Sequence, residues 1–338
     1  MYQQLVDPGR RMPRGCSVPP AWDSSFVAVE SLGSAPMSTY LITGVTGQVA
    51  ESVAVSLAAD HDVIGVARFG DTAARARLEA AGVTCVPADL VAADFTGVPT
   101  GVDVLANFAV VKTQKWDLDL RANAEGIGLL ADHVRPGRIL HCSSTGVYDP
   151  AGSVVLDESA PLGDNHRPIM PTYSISKIAA EEVVRTVCRM LDIPTTIARL
   201  NVPYGVGPDG EARGWPAFHL AMMQAGMPVP VHPDRPNLFN PIDLADIART
   251  VPALAEAVTV PATIVNWGGV EQVSLEEWCE FLAERCGYTA AYEETDATIG
   301  GVTVDVSRMV DLCGPTQVAW RDGFAAVADA WMAGPGAT

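Results

Sequence analysis

Lysine is nearly missing from this chain. Only Lys112, Lys115 and Lys177 occur in 338 residues. Positive charge is short altogether, with 22 Lys and Arg against 40 Asp and Glu and a formal net charge of -18. That balance argues against binding a nucleic-acid backbone or an anionic membrane surface. Its plain meaning is solubility. No apolar run approaches the roughly 20 residues of a membrane span. The seven cysteines form no C-x-x-C pair and no metal-ligand spacing. They read as free thiols in a reducing cytosol, so a cytoplasmic protein without a metal is expected. The six histidines show no ligand pairing either. Residues 1–36 lack the apolar core of a signal peptide. Their prolines, Pro8, Pro13, Pro19, Pro20 and Pro36, point instead to a disordered extension, or to an upstream start before Met37.

Against this poverty of lysine, one is placed at Tyr173-Ser174-Ile175-Ser176-Lys177. A Tyr and a Lys four residues apart on a helix share a face. A free tyrosine titrates near pH 10, and a nearby ammonium favours the phenolate. The pair can therefore give or take a proton. A chance pairing on a surface helix would look the same in isolation, and two further segments decide between the readings.

The first is Thr43-Gly44-Val45-Thr46-Gly47-Gln48-Val49-Ala50, set between the apolar Tyr40-Leu41-Ile42 and a helix-like stretch. Gly44 and Gly47 allow a sharp strand-to-helix turn and a close backbone approach to a pyrophosphate at the helix N-terminus. The second is His141-Cys142-Ser143-Ser144-Thr145-Gly146-Val147-Tyr148, which follows Arg138-Ile139-Leu140. Its serines fall at the carboxyl end of a strand, where parallel sheets bind ligands. Cys142 there is read as a small buried residue.

Short apolar strands near 39–43, 62–67, 83–87, 102–107, 138–143, 194–199 and 262–267 alternate with helices, including 118–134 and 173–191. This is the pattern of an α/β, Rossmann-type, doubly wound parallel sheet. The Rossmann domain is expected over 37–200, with a return segment near 241–268. The Pro- and Gly-rich 206–240 interrupts the alternation. A smaller C-terminal substrate-binding lobe is expected from 201–240 and 269–338.

In this order the motifs resemble the extended short-chain dehydrogenase/reductase family, the NAD-dependent epimerase/dehydratase group, from about Met37 to about residue 270. Ala88-Asp89-Leu90, Asn107-Phe108-Ala109, Asn123, Asp243-Leu244-Ala245-Asp246 and Asn266-Trp267-Gly268-Gly269 add to the likeness. The resemblance implies a catalytic Ser144, Tyr173 and Lys177, with Tyr173 exchanging a proton and Lys177 lowering its pKa. It implies a cofactor held by Gly44, Thr46, Gly47, Gln48, Val49, Asp89, Leu90, Asn107, Ala109, Tyr173 and Lys177. Substrate contacts are expected from Thr145, Tyr148, Asn201 and Tyr204. The helices 118–134 and 173–191 would form a four-helix homodimer interface.

Two departures narrow the chemistry. Family dehydratases carry Asp-Glu after the catalytic Thr, whereas Ser144 is followed by Thr145 and Gly146. Epimerases of nucleotide sugars place an Arg before the Asp243 region, where this chain has Pro236, with Arg235 one residue away. The second strand ends at Ala67 and Arg68 rather than at an acid. A guanidinium suits a 2′-phosphate, so NADP is preferred over NAD. Three functions follow in order: an NAD(P)-dependent oxidoreductase acting on a small-molecule carbonyl or secondary alcohol, a nucleotide-sugar epimerase, and an NADP(H)-sensing regulatory protein.

Overall fold

The computed structural model describes residues 37–334. The expected extension at 1–36 lies outside the described residues, as do the last four residues of the expected lobe. Seven strands form one wholly parallel sheet: β1 Thr39–Thr43, β2 Asp62–Ala67, β3 Thr84–Pro87, β4 Val104–Asn107, β5 Arg138–Ser144, β6 Thr195–Leu200 and β7 Thr263–Trp267. Their spatial order is β7-β6-β5-β4-β1-β2-β3. The order reverses between β1 and β4, and such a switch point opens a crevice at the carboxyl ends of the strands.

Helices cover both faces, so the central strands bury successive residues rather than alternate ones. Leu41, Ile42, Leu105, Ala106, Ile139 and Leu140 are all fully buried. On one face α1 (Gln48–Leu57) and, later in the chain, α7 (Leu244–Glu256) pack over Ile42, Ala106 and Leu140. On the other face Leu41, Leu105 and Ile139 meet Ile127, Leu130 and Val184. Those residues come from a broken helix and from α5 (Tyr173–Leu191). After α2 (Thr72–Ala80), the broken helix runs as α3 (Trp116–Leu120), a π-helical turn at Arg121–Glu125, and α4 (Gly126–Val134).

The π turn has a local cause. Asn123 accepts the Val111 N–H at 2.7 Å, donates to the Val111 carbonyl at 2.8 Å and donates to Ser176 Oγ at 3.1 Å. Holding one side chain inward to meet those partners inserts an extra residue into the turn, a common use of π bulges. Asp119, one turn earlier, accepts from Thr113 and Gln114 and from the Thr172 hydroxyl. The loop after β4 is thus tied to the start of α5.

A second apolar cluster forms the lobe. It joins α6 (Trp215–Gln224), α8 (Leu275–Cys286) and α10 (Trp320–Ala333), which lies beyond the short α9 (Ser307–Cys313). Trp278, Phe324 and Tyr204 fill its centre, with Tyr204 and Phe324 stacked at 4.4 Å. Gly214 begins α6 at φ +88, where a Cβ would sit 2.4 Å from the Pro203 carbonyl oxygen. Only glycine fits that turn.

The buried face of α5 is polar at its centre. Ser174, Ser176, Lys177, Ala180, Glu181 and Val184 are all buried. Glu181 accepts from Arg199 Nε at 3.0 Å and Arg199 Nη2 at 2.7 Å, and from Ser143 Oγ at 2.5 Å. Arg199 also lies 4.8 Å from the Tyr148 ring. Breaking a buried pair by removing one partner leaves an uncompensated charge. Glu181→Gln is therefore expected to destabilise the fold by about 3–5 kcal/mol in urea unfolding. The surface change Glu182→Gln, which loses only the exposed pair with Arg185, is expected to stay within about 0.5 kcal/mol.

Candidate active site

The crevice at the strand ends holds a cavity of about 440 Å³. Gly44, Gly47, Gln48 and Val49 form one wall, Ser144, Tyr173 and Lys177 another, and Trp215, Phe218 and Phe239 of the lobe a third. Motifs about 100 and 130 residues apart in the chain meet there because β1 and β5 flank β4 in the sheet.

The glycine turn is set by backbone contacts. Gly44 N–H donates to the Val66 carbonyl at 2.9 Å, and Gly47 N–H to the Gly44 carbonyl at 2.8 Å. Gly44 has φ +63, and a Cβ there would lie 2.7 Å from Ala109 Cα. The Thr43 hydroxyl braces this approach. It accepts from Phe108 N–H at 3.1 Å and Ala109 N–H at 3.0 Å and donates to Asn107 Oδ1 at 2.6 Å. The side-chain-free wall so formed, opening onto the N-terminus of α1, fits a dinucleotide pyrophosphate.

Lys177 is 4% exposed and donates from Nζ to the Cys142 carbonyl at 2.8 Å. Burial lowers its pKa. Ser144 Oγ accepts the Gly146 N–H at 3.1 Å, which fixes the hydroxyl at the cavity wall. Tyr173 departs from expectation. Burial pushes its phenol up to about 12, with hydrogen bonding from Ser144 pulling the other way. The lowering expected from Lys177 is not realised with Nζ seated on the Cys142 carbonyl. A phenol held this high is protonated at neutral pH and has a proton to give. Cys142 is buried, and burial lifts its thiol to about 11. That makes it a poor nucleophile.

Of the other expected cofactor residues, Thr46, Arg68, Asp89, Leu90, Asn107 and Ala109 do not line the cavity. Asn107 turns into the sheet, bonded to Thr43 and to His141 Nδ1. Asp89 caps its own turn through Val91 and Ala92. Arg68 is exposed at the end of β2. Asp71, the acid beside it, is committed to capping α2 through Ala73 and Ala74.

Two of the four expected substrate residues need correction. Tyr148 is fully buried, donating to Asn266 Oδ1 at 2.5 Å, because the ring is drawn beneath Arg199. Tyr204 is buried against Phe324 in the lobe core. Neither reaches the cavity. Thr145 and Asn201 do line it. Asn201, however, is occupied: it donates to Thr145 Oγ1 and the Val302 carbonyl, and accepts from Val202 and Asn240 N–H.

Two site residues escaped the sequence reading. Lys112 Nζ lies 5.1 Å from the centre of the Tyr173 ring. It is carried there by the loop that Asn123 and Asp119 hold. Packing around Nζ lowers its pKa although the residue stays exposed. The signal was the lysine scarcity itself, since a second of the three stands five residues past the end of β4. His166, with its ring 4.8 Å from that of Tyr173, also lines the cavity. A Cβ at Gly146 would collide with it.

The sequence profile of the NAD dependent epimerase/dehydratase family matches residues 40–268. The chain belongs to this family. Among solved structures it is similar to dTDP-glucose 4,6-dehydratase from Streptomyces venezuelae with NAD bound, at 21% identity and TM-score 0.75, covering 88% of this chain and 98% of that one. It is similar also to UDP-glucose 4-epimerase from Bifidobacterium longum in complex with NAD+ and UDP, at 19% identity and TM-score 0.73, covering 89% and 100%. A third is UDP-glucuronic acid 4-epimerase from Bacillus cereus in complex with NAD, at 19% identity and TM-score 0.73, covering 88% and 98%. Identities this low speak for the shared fold. No curated protein matches the sequence. Among the described residues, no helix is long and apolar enough to cross a membrane.

Burial makes three histidines acid-sensitive. It depresses His141 to about 3 and His219 to about 4, and His166 to about 4 with help from Lys112. The unfolded chain titrates these groups near 6.5. Between the folded and unfolded values only the unfolded state takes up the proton, so stability falls as pH drops below about 6.5 and stops falling near the folded values. At pH 5 each costs about 2 kcal/mol. Urea unfolding at pH 7 and pH 5 should show this loss, and His219→Gln should remove one share of it.

Proposed function

We propose that the chain is an NAD(P)-dependent oxidoreductase that reduces the carbonyl of a small molecule, or oxidises the corresponding secondary alcohol. The observation that carries this reading is the meeting of Ser144, Tyr173 and Lys177 in one cavity with the glycine turn. The nicotinamide supplies or accepts the hydride. Tyr173 gives its phenolic proton to the substrate oxygen, for which the raised pKa suits it. Ser144 donates a hydrogen bond to the same oxygen and orients the carbonyl. Lys177, freed from the Cys142 carbonyl, would bind the ribose hydroxyls of the cofactor, and its charge would then oppose the effect of burial on Tyr173.

We prefer NADP on the strength of Arg68 and of Asp71, whose carboxylate caps α2 instead of meeting a ribose. Arg68→Asp is expected to weaken NADPH binding at least tenfold and to spare NADH, read by fluorescence titration. Tyr173→Phe should lower turnover by about 10²–10⁴ while leaving cofactor affinity unchanged.

Epimerisation is the second reading, favoured by the complete triad. Epimerases return the hydride within one turnover, so their cofactor need not leave. Mass spectrometry of nucleotide released by acid from native protein separates the two. Stoichiometric NAD would favour the epimerase and overturn the role given to Arg68. Empty protein that binds NADPH reversibly would support the reductase. We also propose a homodimer through the outer faces of α4 and α5, where Leu129, Ile175 and Met190 are exposed.

A further inference from the structure

We propose that the lobe side of the cavity receives a planar, uncharged aromatic group that carries the reacting carbonyl, and does not receive a nucleoside diphosphate. This deepens the oxidoreductase reading and takes from it the position of the reacting carbon, beside Tyr173. The lobe wall is apolar where it faces Tyr173. Trp215 stands edge-on to Phe239 at 5.4 Å and 80°. Phe218 also lines the cavity yet is 60% exposed. With Trp215 and Phe239 it gives the cavity a contiguous aromatic side of the kind that lines ligand pockets. Gly214 fixes this arrangement, because its positive φ starts α6 with Trp215 as the first helical residue.

A diphosphate needs cations, and Arg213 and Arg235, which flank the lobe side, both face carboxylates, while Arg167 lines a separate cavity. Among the described residues, no arginine lines the cavity. Arg213 is held by Glu51 at 2.9 Å and Asp209 at 2.6 Å. Arg235 lies between Glu276 and Glu294 at 3.8 and 3.7 Å. The two cations that do line the cavity, Lys112 and Lys177, stand at the catalytic end, by Tyr173 and Cys142. Two negative charges on the lobe side would lose their hydration to an aromatic wall with no counter-charge. A flat apolar group stacks on the same wall without that loss.

Calorimetry on the full chain saturated with NADP+, where no hydride can be delivered to a ketone, tests this. The probes are 2-acetylnaphthalene, UDP-glucose and UDP. The ketone is expected to bind, and the two nucleotides to show no binding at millimolar concentration. Phe218→Arg, a change at an exposed position, is expected to weaken the ketone at least tenfold. Trp215→Ala is expected to do the same. Tighter binding of either nucleotide than of the ketone would overturn the proposal. So would absence of ketone binding, or a ketone affinity that neither substitution moves. The outcome is separable from that of the oxidoreductase reading. Ketone binding without any NADPH- or NADH-linked turnover would sink that reading and leave this one standing. Turnover of a polar carbonyl with no ketone binding would do the reverse.

Discussion

The site depends on the buried ion pair between Glu181 and Arg199. The groups held at the cavity, Ser144, Tyr173 and Lys177, are polar, and polar side chains do not by themselves hold a helix against a sheet. One turn after Lys177, Glu181 takes two hydrogen bonds from Arg199 on β6 and one from Ser143 on β5. Three elements are thereby fixed at one point. The helix can then present Tyr173 and Lys177 to the strand end instead of burying an apolar face there. The desolvation of these charges is offset only because geometry is good and lone pairs are filled.

A second constraint works from the other side. Asn123 and Asp119 bind the loop after β4 to the same helix, through Ser176 and Thr172. The π turn is the local distortion that lets Asn123 reach. Lys112 is carried over the Tyr173 ring by that loop. The placement of Tyr173 and that of the loop cation Lys112 are therefore two outcomes of one set of hydrogen bonds around α5.

Much of this was legible in the sequence, and the reasons are local. Strands buried on both faces carry short apolar stretches set off by turns and helices, and all seven fell within two residues of their observed limits. Tyr173 and Lys177 lie on one helix, and helical spacing alone brings them to one face. The misreadings involve contacts that spacing does not encode. Helix 118–134 reads as continuous because one extra residue in a turn leaves apolar periodicity almost unchanged. Tyr148 was expected from the family resemblance in a structural or a substrate-facing role, and the structural one is decided by Arg199, 51 residues later. Tyr204 was lost to the lobe core for the same reason, its partner Phe324 being 120 residues away. Lys112 and Tyr173 are likewise 61 positions apart.

The scarcity of lysine has a chemical consequence beyond catalysis. Lys177 is sealed beneath the sheet end, so among the described residues the amines within reach of solvent are those of Lys112 and Lys115. An acylating reagent or an amine-coupling surface would find its targets on the one loop that overhangs Tyr173. Procedures harmless to a lysine-rich enzyme, such as random labelling or attachment to an activated resin, would here fall, among the lysines of the described residues, on the rim of the cavity.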